Sequence, residues 1–241
     1  VYRSLTESGK EGLQEDEEVF LVLFCLIWAY HRYRKSRPTV VEQRPFASHL
    51  HIRSQDFSEA SGVHLFPASD LVEDPSVPHF ESRFLVKVRD KLSTRLQTNV
   101  HKVLRDYAGR SAGHELHNVT VLFKPYVEKK RLLESAIWAS GQLLKNARFL
   151  AAGGALISSG SVYAVFRSLI AYRANYSYFD EAFERNSNLK FLVMSNFYSP
   201  ENLGVVKIAN ERGIEVFDIQ PGVQKSVIAY ERIDQFPPGL Q

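Results

Sequence analysis

The chain has 241 residues, 44% of them hydrophobic and 24% charged. That is ordinary for a globular protein of one large α/β domain or two small ones, and enough to bury a core without a metal or disulfide staple. A single cysteine, Cys25, excludes an intramolecular disulfide and a cysteine-based zinc site. The net charge of +3, with basic residues interleaved among acidic ones, speaks against a nucleic-acid partner and leaves room only for weak attraction to anionic lipid or phosphate-bearing substrates.

The sequence opens at Val1 rather than a methionine. Residues 1–16 are polar. Residues 17–35 predict a helix that ends before Pro38. Its apolar run, Phe20 to Tyr30, is 11 residues long, where a membrane span needs about 20. Glu15, Asp16, Glu17 and Glu18 precede it, the wrong flank for a signal peptide. The run is therefore a core element, and Cys25 within it a buried, inert thiol. The alternative is an interfacial helix, with Trp28, Tyr30 and Tyr33 at a membrane surface followed by Arg32, Arg34, Lys35 and Arg37.

Residues 36–80 are punctuated by Pro38, Pro45, Pro67, Pro75 and Pro78, with short strands expected at Thr39–Val41 and Val63–Phe66. Five of the eight histidines fall between His49 and His101. Such an irregular stretch is a loop-rich structure or a functional surface. Residues 81–108 predict a helix, because Phe84, Val88, Leu92 and Leu96 recur on one helical face and Lys87, Arg89, Asp90, Lys91 and Arg95 fill the rest. Gly109 and Gly113 break that pattern. Asn118–Lys124 is β-branched and apolar, a buried strand stopped by Pro125.

A long helix is expected over about Glu128–Ala152, with Leu132, Leu133, Ala136, Ile137, Leu143 and Leu144 as its inward face and Gly153-Gly154 as its stop. Residues 161–188 predict one or two helices. Their stripes are Val162, Val165, Phe166, Leu169 and Ile170, then Tyr176, Phe179 and Phe183. The tyrosines between them, Tyr172, Tyr176 and Tyr178, suit a core or groove wall rather than a base-stacking platform.

The last fifth carries the clearest signals. Lys190–Asn196 is a short apolar run bounded by polar residues, as in a strand covered on both faces. Ser199-Pro200 is an N-cap followed by a first-turn proline, and Gly213 provides a left-handed stop. Ile214–Ile219 is the next strand. Two strands joined by one helix run parallel when they share a sheet, so the fold class is α/β: a Rossmann-like open parallel sheet flanked by helices.

Familiar catalytic signatures are absent: no Gly-x-Gly-x-x-Gly, no phosphate loop, no Gly-x-Ser-x-Gly. His114 and His117 have the wrong spacing and context for zinc, and His49 with His51 reads as a surface pair, so no metal site is expected. In an open parallel sheet, ligands bind outside the carboxyl ends of the strands. That places Asn196, Tyr198 and Ser199 after the first strand beside Asp218, Gln220 and Gly222 at the end of the second. Gly222 admits close backbone approach, Gln220 donates to and accepts from hydroxyls, and Ser199 with the helix-start amides forms a weak anion site. The alternative is a pair of ordinary turns with local caps.

The stretch Lys190-Phe-Leu-Val-Met-Ser-Asn-Phe-Tyr-Ser-Pro-Glu-Asn202, with Ile208-Ala-Asn-Glu-Arg-Gly-Ile-Glu-Val-Phe-Asp-Ile-Gln-Pro-Gly-Val-Gln224, resembles glycosyltransferases of bacterial surface and capsular polysaccharide synthesis. Those have the two-domain GT-B fold. The resemblance covers about residues 160 to 241. It implies that Asp218-Ile219-Gln220-Pro221-Gly222 stands where the family has an acidic residue, an aliphatic and Gln-His-Gly, and that Tyr230 is the tyrosine that follows. Pro221 replaces the histidine, and proline can act neither as acid nor as base nor as a phosphate contact.

Residues 1–36 read as an N-terminal helical segment and 37–236 as a Rossmann-like α/β domain, which the resemblance makes the amino-terminal half of a GT-B architecture, with 237–241 as the start of a linker to a missing domain. The implied function is acceptor-side: a glycan or lipid-linked sugar would lie against Asn196, Tyr198, Ser199, Gln220, Gly222 and Tyr230. Asp218 would be the catalytic base, with a structural role inside the strand as the alternative. No cofactor is implied, since the nucleotide sugar would bind the missing domain. The location is cytoplasmic or membrane-peripheral, with contact through residues 20–37. The other reading is a non-catalytic binding or scaffold domain whose site has degenerated at Pro221. A third is a membrane-surface or protein-interaction module built around residues 20–37.

Overall fold

The structure, a computed structural model, describes residues 17–35, 60–67, 71–73, 80–82, 100–105, 119–122, 129–147, 150, 159–194 and 199–219. The elements in chain order are α1 (Glu17–Lys35), β1 (Gly62–Pro67), β2 (Leu71–Glu73), β3 (Phe80–Ser82), β4 (Val100–Arg105), β5 (Val119–Leu122), α2 (Lys129–Lys145), α3 (Ser159–Glu184), β6 (Phe191–Met194), α4 (Pro200–Glu211) and β7 (Glu215–Asp218).

Five strands form one parallel sheet in the order β5-β4-β1-β6-β7. The chain starts in the middle at β1, winds outward through β4 to β5, returns to the middle at β6 and winds the other way to β7. β2 and β3 form a separate antiparallel ribbon.

Both faces of the sheet centre are covered. Val63, Leu65, Val103, Leu192 and Met194 point to one side and share a core with residues of α1, α3 and α4. On the other side His64, Phe66, Leu104, Phe191 and Val193 are buried too. All four residues of β6 are therefore buried, which explains why it reads as a continuous apolar run and not an alternation.

α3 is the axle of the helical layer, packing against α1, α2 and α4. Leu169, Ala174 and Phe179 on it are fully buried, and Phe179 meets Tyr178 edge-on and Phe183 at a tilt. The aromatic cluster of α3 is thus core. Tyr172 lies under Trp138 of α2, ring centroids 5.8 Å apart, and Tyr176 donates to Glu211 of α4 at 2.7 Å. α1 belongs to the same core through Leu21, Val22, Cys25, Leu26 and Ala29. Its acidic first turn is tied to two neighbours: Glu17 to Lys207 of α4 at 2.8 Å, and Glu18 to Lys145 of α2.

Two expectations are corrected. The helix expected over 81–108 is not continuous: residues 80–82 and 100–105 are strands. The residues of its apolar stripe lie outside the described part. Val103 and Leu104 are adjacent and both fully buried, and consecutive buried residues belong to a strand covered on two faces, whatever the periodicity before them.

The second correction concerns α2. Leu132, Leu133, Ile137 and Leu144, expected inward, are exposed, while Arg131, Ser135, Ala139, Gln142 and Asn146 face the protein. Those five residues are also spaced as one helix face. Ser135 and Ala139 are small enough to let α2 lie close on α3. Arg131 is used there: it donates to Glu181 at 3.0 Å and lies over the Tyr178 ring. The strand expected at Thr39–Val41 lies outside the described residues.

Asn186 joins the end of α3 to the start of the central strand. Its Nδ2 donates to the Ala60 carbonyl at 2.8 Å and its Oδ1 accepts from the Asn188 amide at 3.0 Å, in a site 4% exposed. Next to it the Lys190 amide donates to the Ser61 carbonyl, setting β6 in register with β1. Asn186→Ala removes both side-chain bonds and strands the buried Ala60 carbonyl, while the exposed Asn188 amide can turn to water, so an expected loss of about 1–3 kcal/mol follows. Urea denaturation of the variant measures it. Asn186→Asp, which sets a carboxylate oxygen against the Ala60 carbonyl in this buried site, should lose at least as much.

Candidate functional site

The site is set by the strand order. Where an open parallel sheet reverses its winding, the connections leave neighbouring strands on opposite sides and open a crevice at their carboxyl ends. Here that point lies between β1 and β6, which pair from Gly62 with Phe191 to Leu65 with Met194. The sequence pointed to β6 and β7. The structure extends the site to β1, a strand whose short apolar run carried no functional signal of its own.

β1 ends at Pro67, and β2 begins four residues later. Four residues span no more than ~14 Å, so the β2–β3 ribbon necessarily starts near the carboxyl end of β1 and thus near the crevice. This places part of the irregular 36–80 region beside the site.

β6 and β7 are adjacent and parallel, Met194 opposite Asp218. One further bond, from the Ile219 amide to the Met194 carbonyl at 2.7 Å, holds the two exits together. Asp218 is the last residue of β7, partly buried, on the sheet face it shares with Met194 and Val216. Ser199 caps α4: its backbone is extended and its Oγ accepts from the Asn202 amide at 3.2 Å. The other end of α4 is closed by Gly213 at φ 68°. The Ile214 amide donates to the Ala209 carbonyl and the Gly213 amide to Asn210, the paired bonds of a left-handed helix stop.

The capping geometry narrows what the start of α4 can bind. Pro200 has no amide hydrogen, the Asn202 amide is held by Ser199, and Glu201 places a carboxylate in the first turn. An anion would find few donors there. The Ser199 hydroxyl retains its own hydrogen and can donate it to a ligand oxygen. Of the residues expected to form the site, Asp218 and Ser199 are thus at the ends of β7 and at the head of α4. Asn196, Tyr198, Gln220, Gly222 and Tyr230 lie outside the described residues.

Other chemistry is sparse among the described residues. No group of three His, Cys, Asp or Glu is gathered to hold a metal, and no helix is long and apolar enough to cross a membrane. Cys25 is fully buried, and burial, with the Glu201 charge adding to it, pushes its thiol far above the usual range. A thiol so protonated is not a nucleophile. The chain matches no protein-family model, no curated protein and no solved structure.

Proposed function

We propose that the chain is the acceptor-side, Rossmann-like domain of a GT-B glycosyltransferase-like protein of polysaccharide biosynthesis, holding a glycan or lipid-linked sugar at the carboxyl ends of β1, β6 and β7. The observation that supports this reading most is the parallel adjacency of β6 and β7 beside the reversal of strand order. It is the arrangement the resemblance requires, and it sets Asp218 at the end of β7 opposite Met194 at the end of β6, with Ser199 at the head of α4. The near-absence of free donors at the head of α4 favours a hydroxyl-rich ligand over a phosphate there. Asp218 is the proposed base for the acceptor hydroxyl, since a carboxylate at a strand end can take that proton. The nucleotide sugar is a co-substrate bound elsewhere.

Pro221 favours a second reading, a sugar-binding domain without transfer, because it removes the one imidazole the resemblance would supply. The proposed location is cytoplasmic. Membrane contact through residues 20–37 would use their basic end, because Leu21, Val22, Cys25, Leu26 and Ala29 of α1 are committed to the core.

Calorimetry with a panel of oligosaccharides and lipid-linked sugars, and separately with UDP-, GDP- and CMP-sugars, tests the proposal. The expected result is glycan binding without nucleotide-sugar binding. Asn196→Ala and Gln220→Ala should each weaken the binding ~10-fold, the value of one hydrogen bond lost from a desolvated site. Glycan binding with no transfer when a nucleotide sugar and any partner domain are supplied would select the second reading. Nucleotide-sugar binding without glycan binding would reject the acceptor-side assignment.

A further inference from the structure

The outward face of α2 is apolar and exposed. Leu133, Ile137 and Leu144 are 61%, 65% and 78% exposed. They fall at i, i+4 and i+11 and form one stripe along three turns. Ser140 and Gly141 lie between Ile137 and Leu144 on or beside that stripe. Gly141 sits inside a helix, where glycine costs about 1 kcal/mol relative to alanine. Nothing in the structure requires it: a side-chain carbon added there would meet no atom within 4 Å. An apolar ridge beside an unexplained notch has the shape of a surface on which another helix lies.

We infer that this face pairs with the same face of a second copy, α2 against α2, antiparallel across a two-fold axis near residues 138 and 139. The residue pattern is self-complementary about that point, as a two-fold interface requires. Turning the helix end for end sets Leu133 against the second copy's Leu144, and brings Ile137 onto Ser140 and Gly141, a large side chain into the notch. The charges agree with the same register. Glu134 and Lys145 lie on one flank of the stripe and are 62% and 66% exposed. In an antiparallel pair like flanks meet, so each Glu134 faces the Lys145 of the other copy, twice over. A parallel pairing would bring unlike flanks together, so that Glu134 and Lys145 no longer meet, and would set Ile137 against Ile137, leaving both notches unfilled.

Sedimentation velocity from low to high micromolar concentration tests this. The expected species at the high end has twice the 27.5 kDa mass of the chain. Gly141→Leu is the sharpest variant: the monomer has open space for the side chain and gains helix propensity, but the notch is filled, so the dimer should weaken at least tenfold while the melting temperature of the monomer does not fall. Ile137→Glu should also give monomer. Glu134→Lys and Lys145→Glu should each weaken the dimer, and the double variant should restore it. The Lys145 change also opposes Glu18 within the chain, a surface pair of small effect. A parent chain that stays monomeric throughout would overturn the inference and leave the stripe to another segment of the chain or to a different partner. So would a dimer indifferent to Gly141→Leu and to the charge exchange.

Discussion

Gly204→Val is expected to destabilise the protein by about 3–4 kcal/mol, a large part of the 5–15 kcal/mol typical of a domain. α4 crosses α3 at this glycine. A side-chain carbon at Gly204 would run into the Tyr172 carbonyl oxygen, with the Tyr172 carbonyl carbon and the Tyr176 amide nitrogen each 3.2 Å away. These are backbone atoms of a helix interior, so no rotamer change can make room. α3 cannot retreat either, because Tyr172 is stacked under Trp138 and Phe179 is fully buried. The helices must move apart, and the core between them loses its packing. Gly204→Ala separates two opposing effects. Alanine gains about 1 kcal/mol of helix propensity but introduces the clash, so the net loss should be ~1–2 kcal/mol. Urea midpoints at constant slope measure both. An alanine variant as stable as its parent would show that the crossing is looser than described.

Stability is expected to fall steadily on the alkaline side, beginning near the titration of an unfolded cysteine. Two groups carry the effect. The Cys25 thiol is pushed up by burial and then by Glu201. The Tyr172 phenol is pushed up by burial and then by Glu17 and Glu211. A folded-state pKa above the unfolded one means that the folded protein keeps a proton the unfolded chain releases. The stabilisation is complete below the unfolded pKa and is lost as pH rises. The slope is about 1.4 kcal/mol per pH unit from Cys25 above pH ~8.5, and about twice that once tyrosine joins above pH ~10.

Tyr176 is pushed up to about 12, by desolvation first and then by its hydrogen bond to Glu211, and adds in the same direction. Lys207 does as well: desolvation alone would lower it, but its bonds to Glu17 and Glu211 outweigh that and raise it. Cys25→Ala isolates the first part. Its stability should stay level until about pH 10 and only then decline. An unchanged onset near pH 8.5 in that variant would show that the buried thiol is not the source.

The parts of this fold that were legible in the sequence are those fixed by local chemistry. Ser199-Pro200 and Gly213 bound α4 because a capping hydroxyl, a missing amide and a positive φ act within a few residues. β6 was legible because burial on both faces forces an apolar run. α1, β5 and the extent of α3 follow from similarly local patterns.

What was not legible depends on distant partners. The sequence of α2 offers two plausible faces, and only the approach of α3 selects the one with Arg131, Ser135 and Ala139. β4 was hidden because the helical spacing of Phe84 to Leu96 ran up to it, while burial of both Val103 and Leu104 comes from cover on the two faces of the sheet. Apart from the adjacency of β6 and β7, the strand order could not be read, and with it went the position of the reversal. The candidate site was therefore read from the ends of β6 and β7 alone, without β1. The only trace of β1's place was the short apolar stretch at Val63–Phe66.

The central claim is that a glycan binds outside the carboxyl ends of β1, β6 and β7. Titration of isotope-labelled protein with the tightest-binding oligosaccharide, followed by amide chemical shifts, tests it most directly. The account predicts that the largest shifts fall on Phe66, Met194, Ser199 and Ile219, at the carboxyl ends. Ser61, Lys190 and Glu215, at the opposite end of the same strands, should hold still. Shifts concentrated at Ser61 and Lys190, or confined to α2, would contradict it.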